Sequence, residues 1–246
     1  MAPFRWQNCY ADVAASQHDK TIKSYLDEVI VPALSSLDRR IEELGRSEEP
    51  WAVFEQSDVK DVLRETKIAF ALAVQSIWER QLRSYLMGCA RELHPELLGR
   101  KVERADWTGL RKLFEQLRGI ELDAFPSFRA LDTLQLLGNA CRHGDGASAE
   151  ELTRRCPDLW RPIPPMPFDD APLEVNFRTV SMMEVSVERL RGFVEAIGEF
   201  WQDAEYIYNE SIDSKHPSLV ATLARERSMR KWLPQVAGPD AGGRDE

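Results

Sequence analysis

The feature that most constrains the fold of this 246-residue chain is a long apolar stripe between Asp58 and Leu93. Its members recur every three or four residues, the spacing that places side chains on one face of an α-helix. At 1.5 Å per residue, a helix over this stretch would be about 54 Å long. The stripe comprises Val62, Ala69, Leu72, Ala73, Ile77, Leu82, Tyr85, Leu86, Cys89 and Leu93. We therefore predict one long central helix, closed by His94-Pro95, on which other elements pack.

The same periodicity predicts that most of the remaining chain is helical. Pro32 predicts a kink or a break inside the first of these helices, because proline lacks the N–H that a helix needs. Asp106 or Thr108 is available as an N-terminal cap for another, and Ser148 with Glu151 fits a capping box. The predicted helices span 18–45, 107–118, 127–142, 148–156, 181–208 and 217–233. The expected fold class is all-α, a helical bundle built on the long central helix.

Two stretches near the middle and the end of the chain do not fit the helical pattern. Residues 161–172 are rich in proline and predict an extended crossing segment, and the alternation over 173–177 predicts one short strand. No internal repeat is visible. We expect residues 1–209 to form a single helical domain. Residues 210–246 are expected to form a C-terminal tail that is partly helical and then disordered.

Composition excludes several classes of protein. A formal net charge of −9 argues against binding nucleic acid through a global positive field, although not against a local grip. The four cysteines show no C-x-x-C spacing, and no glycine-rich loop follows a strand, so neither a metal nor a nucleotide cofactor is predicted. The N-terminal residues lack the apolar run of a signal peptide, and no apolar run is long enough to span a membrane. We expect a cytoplasmic protein with free thiols.

The strongest candidate site lies where the helix over 127–142 runs into a glycine-bounded turn. Asn139, Arg142, His143 and Asp145 meet there, in the run Leu-Leu-Gly-Asn-Ala-Cys-Arg-His-Gly-Asp-Gly that begins at Leu136. Three- and four-residue spacing places further polar side chains on the same face of the helix. The complete polar row is Asp132, Gln135, Asn139, Arg142 and His143.

This corner has a structural interpretation. Arg142 and His143 complement the negative end of the helix dipole, and Gly144 suits the residue that follows a helix. Asn139 could hydrogen-bond a neighbouring helix, and Asp145 could hold the turn by accepting backbone N–H bonds. Under this interpretation the polar residues stop the helix and carry no chemistry.

The same residues also support a functional interpretation. An imidazole titrates near neutral pH, so His143 can act as a general acid or base. Arg142 can hold a phosphate through paired hydrogen bonds, and Asn139 can orient a hydroxyl or the imidazole. Gln135 and Asp145 are then candidate substrate-binding residues. This set suits metal-independent RNA cleavage, and a homodimer that brings two copies of His143 together would supply both the base and the acid.

The run from Phe125-Pro126-Ser127-Phe128 through Gly146, followed by Ser148 and Cys156-Pro157-Asp158-Leu159-Trp160, resembles uncharacterised bacterial proteins with HEPN-like (higher eukaryotes and prokaryotes nucleotide-binding) domains. The resemblance covers about residues 58–160. It implies an all-α bundle that dimerises, and an endoribonuclease of a toxin–antitoxin or phage-defence system. Such systems imply an RNA substrate and a partner protein encoded in the same operon.

The hallmark of that family is an arginine, a polar residue such as asparagine, three to five further residues and a histidine. The resemblance places Asn139 at the polar position and His143 at the histidine, while Gly138 occupies the position of the arginine. We infer that Arg142 could supply the missing charge from one helical turn further along.

Three hypotheses follow. The protein is a metal-free RNase or RNA-processing effector that uses His143 and Arg142. Alternatively, it is a non-catalytic helical interaction module that serves as a partner or regulatory subunit. In the third hypothesis the motif is purely structural.

Overall fold

The computed structural model describes residues 4–95, 100–160 and 179–235. Within these ranges it shows no β-strand, and the isolated β-bridge between Trp160 and Met183 joins single residues. The α-helices are α1 (Tyr10–Ala14), α2 (His18–Tyr25), α3 (Val31–Gly45), α4 (Ala52–Leu93), α5 (Arg100–Arg104), α6 (Trp107–Arg118), α7 (Phe128–His143), α8 (Ala147–Arg155), α9 (Val187–Ser211) and α10 (Pro217–Met229). The predicted all-α fold class is confirmed.

Some predictions fall on residues that the structure does not describe. The proline-rich crossing segment over 161–172 and the strand over 173–177 lie outside the described residues. The last part of the predicted tail, from residue 236, lies outside them as well. In the described part of the tail, α10 covers most of the helix predicted over 217–233. The HEPN-like form of the bundle and the single domain over 1–209 stay predictions.

The central helix α4 is 42 residues long and begins six residues before the predicted start at Asp58. Its first turn carries Val53 and Phe54, whose side chains are exposed. Because these residues do not join the buried stripe, apolar periodicity gave no signal for this part of the helix. The predicted C-terminal end at Leu93 agrees with the structure.

The break predicted by Pro32 is present as a π-helical segment over Leu26–Ile30, between α2 and α3. There the N–H of Val31 reaches the carbonyl of Leu26, five residues back. A π-bulge widens the helix by one residue, and such bulges are a recognised cause of helix distortion. Pro32 itself lies in the first turn of α3, where its missing N–H costs little.

Capping residues account for several helix boundaries. Asp106 caps α6, since its carboxylate accepts the N–H of Gly109 at 2.7 Å. The predicted capping box of Ser148 and Glu151 is wrong: α8 begins after Gly146, and the Glu151 carboxylate pairs with arginines of its own helix. At α9 the predicted start at Ser181 is early, because the Ser186 hydroxyl accepts the N–H of Arg189 at 3.1 Å.

The chain divides into two compact units. Unit 1 comprises Met1–Thr21, Trp78–Arg129 and Ala196–Glu246. Its core is an aromatic cluster, in which the ring centroids of Trp78 and Phe200 are 5.0 Å apart and those of Phe125 and Phe200 are 4.9 Å apart. Edge-to-face and tilted contacts of this kind stabilise a core beyond the burial of apolar area. The cluster comprises Trp78, Tyr85, Phe114, Phe125, Phe200 and Trp201.

Unit 2 comprises Ile22–Ile77 and Ala130–Glu195, and its core is mainly aliphatic. The helix α7 contributes most of its length to this unit and buries the side chains of Leu131, Leu134 and Leu137. The other fully buried aliphatic side chains of the unit include Ile22, Ile30, Leu34, Val74, Leu152 and Leu190. No helix in the described part of the chain combines the length and the apolar character that a membrane span requires.

Candidate functional site

The predicted corner lies at the C-terminal end of α7 in unit 2. Gly144 follows the helix with φ of +75°, in the left-handed region that glycine adopts without strain. Its N–H closes the last turn by donating to the carbonyl of Ala140 at 2.8 Å. The predicted role of Gly144 as the residue after the helix is therefore confirmed. The last two helical residues, Arg142 and His143, expose their side chains to solvent.

The polar row does not lie on one solvent-facing surface. Gln135 is only 4% exposed, and its side-chain oxygen accepts a hydrogen bond of 2.7 Å from Nε2 of Gln75 in α4. Asp132 forms an ion pair of 2.6 Å with Arg155 of α8. Asn139 is partly exposed. The structure thus brings Asn139, Arg142 and His143 together at the helix end, and it places Gln135 in the core.

Gly138 lies where α7 approaches the side chain of Gln75. A Cβ atom on Gly138 would be 2.8 Å from Cγ and 3.2 Å from Oε1 of Gln75, a separation that requires a shift of one of them. Gly138 has an ordinary helical φ, so glycine is needed at this position for space and not for its backbone conformation. Gly138 therefore lets α7 approach Gln75 closely. A residue with a side chain does not fit at position 138 while Gln75 keeps this position.

The Arg142 guanidinium lies beside Gly138 and Gln75. Its Nη2 donates to Oε1 of Gln75, the same atom that faces the Cβ position of Gly138. Side chains on a helix lean toward its N-terminus, so Arg142 reaches back over the preceding turn. The consequence is that a guanidinium lies beside Gly138 although residue 138 itself has no side chain.

His143 is the remaining member of the candidate pair. Within the described part of the chain, no hydrogen bond or ion pair engages its ring. An imidazole can exchange a proton with a bound molecule, and a guanidinium can hold an anionic group of it. These two residue types, adjacent in the chain, are ones that acid–base chemistry on a phosphate ester requires.

Asp145, the second predicted substrate-binding residue, has a structural partner. Its Oδ1 accepts the N–H of Val180 at 2.7 Å. This bond fixes the turn after α7 to the chain that leads into α9, as the structural interpretation of the corner expected. The carboxylate can accept further hydrogen bonds, since each of its two oxygens accepts more than one.

Sequence reasoning missed a buried polar cluster in unit 1. The side chains of Arg118 and Asp12 form an ion pair of 3.0 Å and are 0% and 1% exposed. The Tyr85 hydroxyl donates to Oδ1 of Asp12 at 2.8 Å, and the Arg118 guanidinium stacks on the Trp6 ring with 4.0 Å to its centroid. Burial raises the pKa of Tyr85 well above its ordinary value. Asp12 and Arg118 are 106 residues apart, so no local motif marks them.

We compared the chain with protein-family models, with curated proteins and with solved structures, and none of them matches it. Among the described residues, no group of three or more histidine, cysteine, aspartate or glutamate side chains comes close enough to hold a metal ion.

Proposed function

We propose that the end of α7 is a metal-independent RNA-cleaving site, with His143 as general acid or base and Arg142 as the phosphate contact. The observation that carries the proposal is the position of the Arg142 guanidinium beside Gly138, in the residue that precedes the exposed His143. In the HEPN-like pattern that the sequence resembles, a guanidinium belongs at the position of Gly138. Arg142 supplies that group from the following turn.

The reaction follows from the chemistry of the two side chains. A base removes the proton of a ribose 2′-hydroxyl, the 2′-oxygen attacks the adjacent phosphorus, and an acid protonates the departing 5′-oxygen. The products are a 2′,3′-cyclic phosphate and a 5′-hydroxyl. Arg142 stabilises the charge that develops on the phosphate oxygens. Asn139 orients the hydroxyl or the imidazole, and the free acceptor capacity of Asp145 is available to the substrate.

The two proton transfers call for two imidazoles. We propose that two copies of the chain form a homodimer in which both His143 side chains face one RNA strand. One imidazole then acts as the base and the other as the acid. A role in a toxin–antitoxin or phage-defence system and a partner protein from the same operon belong to this proposal, since they come with the family resemblance. The cytoplasmic location inferred from the cysteines belongs to it as well.

The experiment uses purified full-length protein, labelled total RNA and tRNA, and a buffer that contains EDTA. We expect cleavage that leaves cyclic phosphate and 5′-hydroxyl ends, and a rate that falls by about 10²- to 10⁴-fold in His143→Ala. Arg39→Ala is the matched control, because Arg39 is an exposed α3 residue of the same unit. Cleavage by His143→Ala at the wild-type rate would refute the role of His143.

A second candidate function is the non-catalytic interaction module. It is favoured by the structural partners of the other polar residues: Gln75 for Gln135, Arg155 for Asp132 and the Val180 N–H for Asp145. Under this alternative the corner holds the fold together and the protein acts through a partner. Wild type, His143→Ala and Arg39→Ala would then be equally inactive on RNA in the same assay.

A further inference from the structure

Unit 1 holds two cysteine side chains in direct contact. Cys9 directly precedes α1, and Cys89 lies 80 residues later, on α4. A hydrogen bond of 3.5 Å joins the two sulfur atoms. Cys89 is fully buried and Cys9 is 7% exposed, and both are free thiols. The contact arises from the tertiary fold alone, because neither residue belongs to a cysteine motif.

The buried ion pair described above lies against these sulfurs. Nη1 of Arg118 is 3.9 Å from the Cys9 sulfur and 3.7 Å from the Cys89 sulfur. The Asp12 carboxylate, which pairs with Arg118, also accepts the N–H of Cys9 at 2.9 Å. A guanidinium in contact with a sulfur favours the thiolate, which is the nucleophilic form of cysteine.

The two thiols are not equivalent. The hydrogen bond shared with Cys89 lowers the pKa of Cys9, and the Arg118 guanidinium acts in the same direction. The same hydrogen bond, together with burial, raises the pKa of Cys89. Of the two sulfurs, Cys9 therefore forms a thiolate more readily than Cys89.

Disulfide formation requires a shift of the segment that carries Cys9, at the start of α1. A disulfide needs sulfur atoms about 2.0 Å apart, so they must approach by about 1.5 Å. The helix that follows Cys9, α1, has only five residues. Before Cys9, the chain is held by the bond from the Trp6 N–H to the Ser211 hydroxyl and by the bond from Arg118 to the Gln7 carbonyl.

We propose that Cys9 and Cys89 form a reversible oxidation site, which a peroxide converts into an intramolecular disulfide. The Cys9 thiolate attacks one oxygen of the peroxide, forms a sulfenic acid and releases hydroxide. The Cys89 sulfur then attacks the Cys9 sulfur. The S–S bond forms, the S–O bond breaks, and the sulfenic hydroxyl leaves as water with the Cys89 proton. Two electrons pass from the thiols to the peroxide.

The other two cysteines provide an internal comparison. Cys141 and Cys156 belong to unit 2, and in the described part of the chain neither sulfur contacts another sulfur. Cys156 contacts the Arg189 guanidinium at 3.7 Å. Burial raises the pKa of Cys141 to about 11, which disfavours its thiolate. Cys156 has a cation beside it but no neighbouring thiol, so disulfide formation by peroxide should select the pair of Cys9 and Cys89.

The test uses the full-length variant Cys141→Ser/Cys156→Ser, in which Cys9 and Cys89 are the remaining thiols. Hydrogen peroxide should remove both thiols together, lower the intact mass by about 2 Da through the loss of two hydrogens, and leave the protein monomer-sized on a non-reducing gel. Dithiothreitol should restore both thiols. In wild-type protein, peptide mapping should find the Cys9–Cys89 crosslink before any product at Cys141 or Cys156.

The variant Cys89→Ser separates the two steps, because its Cys9 sulfenic acid has no neighbouring thiol and should be trapped by dimedone. Three results would overturn the proposal. In the first, both thiols of the double variant persist while Cys141 or Cys156 of the wild type is oxidised. In the second, the disulfide joins two chains. In the third, Cys9 is oxidised irreversibly and no crosslink forms. The double variant decides the matter even where Cys89→Ser fails to fold.

Discussion

Arg142 and Gln75 meet at the level of Gly138, where Nη2 of the arginine donates to Oε1 of the glutamine. This contact determines what the α7 corner can do. It holds the Arg142 guanidinium beside Gly138, and the exposed His143 is the next residue of the chain. It also explains why residue 138 is a glycine, since Gln75 fills the space that a side chain would need.

Gly138→Ala should destabilise the protein by up to about 2 kcal/mol. Alanine has a better helix propensity than glycine by about 1 kcal/mol, but the new Cβ would overlap Cγ of the buried Gln75, and such overpacking costs about 1–3 kcal/mol. Gly192→Ala in α9 is the matched control, because a Cβ there meets no atom within 4 Å and should stabilise the helix. Urea unfolding of both variants measures the difference. Equal stabilisation by the two substitutions would mean that Gln75 does not constrain residue 138.

Arg118→Met should destabilise the protein by about 3–5 kcal/mol. The substitution keeps much of the apolar stem but leaves the Asp12 carboxylate buried without its cation, and an uncompensated buried charge is costly. Arg46→Met removes a comparable ion pair at the surface, where Arg46 and Glu42 are 77% and 64% exposed, and should change the stability by no more than about 0.5 kcal/mol. Denaturant midpoints of the two variants provide the measurement. A similar small change in both would contradict the importance of the buried pair.

Asp203 should make the stability depend on pH. Burial raises its pKa to about 6 from an ordinary 3.8, although the Arg230 guanidinium acts in the opposite direction. Because the folded state binds this proton more tightly, the contribution of Asp203 is fully present below about pH 4 and is lost as the pH rises through 6. We expect this part of the loss to be about 1–3 kcal/mol.

Asp203→Asn should therefore flatten the stability curve between pH 4 and pH 7, measured by denaturant unfolding at each pH. The change in slope is the informative quantity, because asparagine does not titrate, whereas the ion pair of Asp203 with Arg230 forms only as the carboxyl ionises. Asp213→Asn is the control, since that side chain is 97% exposed. A curve for Asp203→Asn that runs parallel to the wild-type curve would be inconsistent with a raised pKa.

Much of the fold could be predicted because apolar periodicity is a local property. The stripe that ends at Leu93 marks α4, and the capping carboxylate of Asp106 marks the start of α6. The same reasoning assigned Gln135 to a polar surface row, although it is buried against Gln75. Periodicity defines the faces of one helix, but it does not say which of them a neighbouring helix covers.

The candidate site could be predicted only in part for the same reason. The positions of Arg142, His143 and Gly144 at a helix end follow from the local sequence. The partner of Arg142 is 67 residues away, and the two sulfurs of Cys9 and Cys89 are 80 residues apart. Such contacts depend on the tertiary fold, and no spacing rule along the sequence reveals them.

The role of Arg142 is tested most directly by the rate of RNA cleavage in EDTA. The proteins compared are wild type, Arg142→Ala, Arg142→Lys and the control Arg39→Ala, each shown to be folded. We predict a loss of about 10²-fold or more in Arg142→Ala, since the substitution removes the charge that stabilises the transition state. Arg142→Lys should retain part of the rate, because it keeps the charge without the paired hydrogen bonds, and Arg39→Ala should match wild type. Cleavage by Arg142→Ala at the wild-type rate, or no cleavage by wild type itself, would contradict the claim that Arg142 supplies the guanidinium of this site.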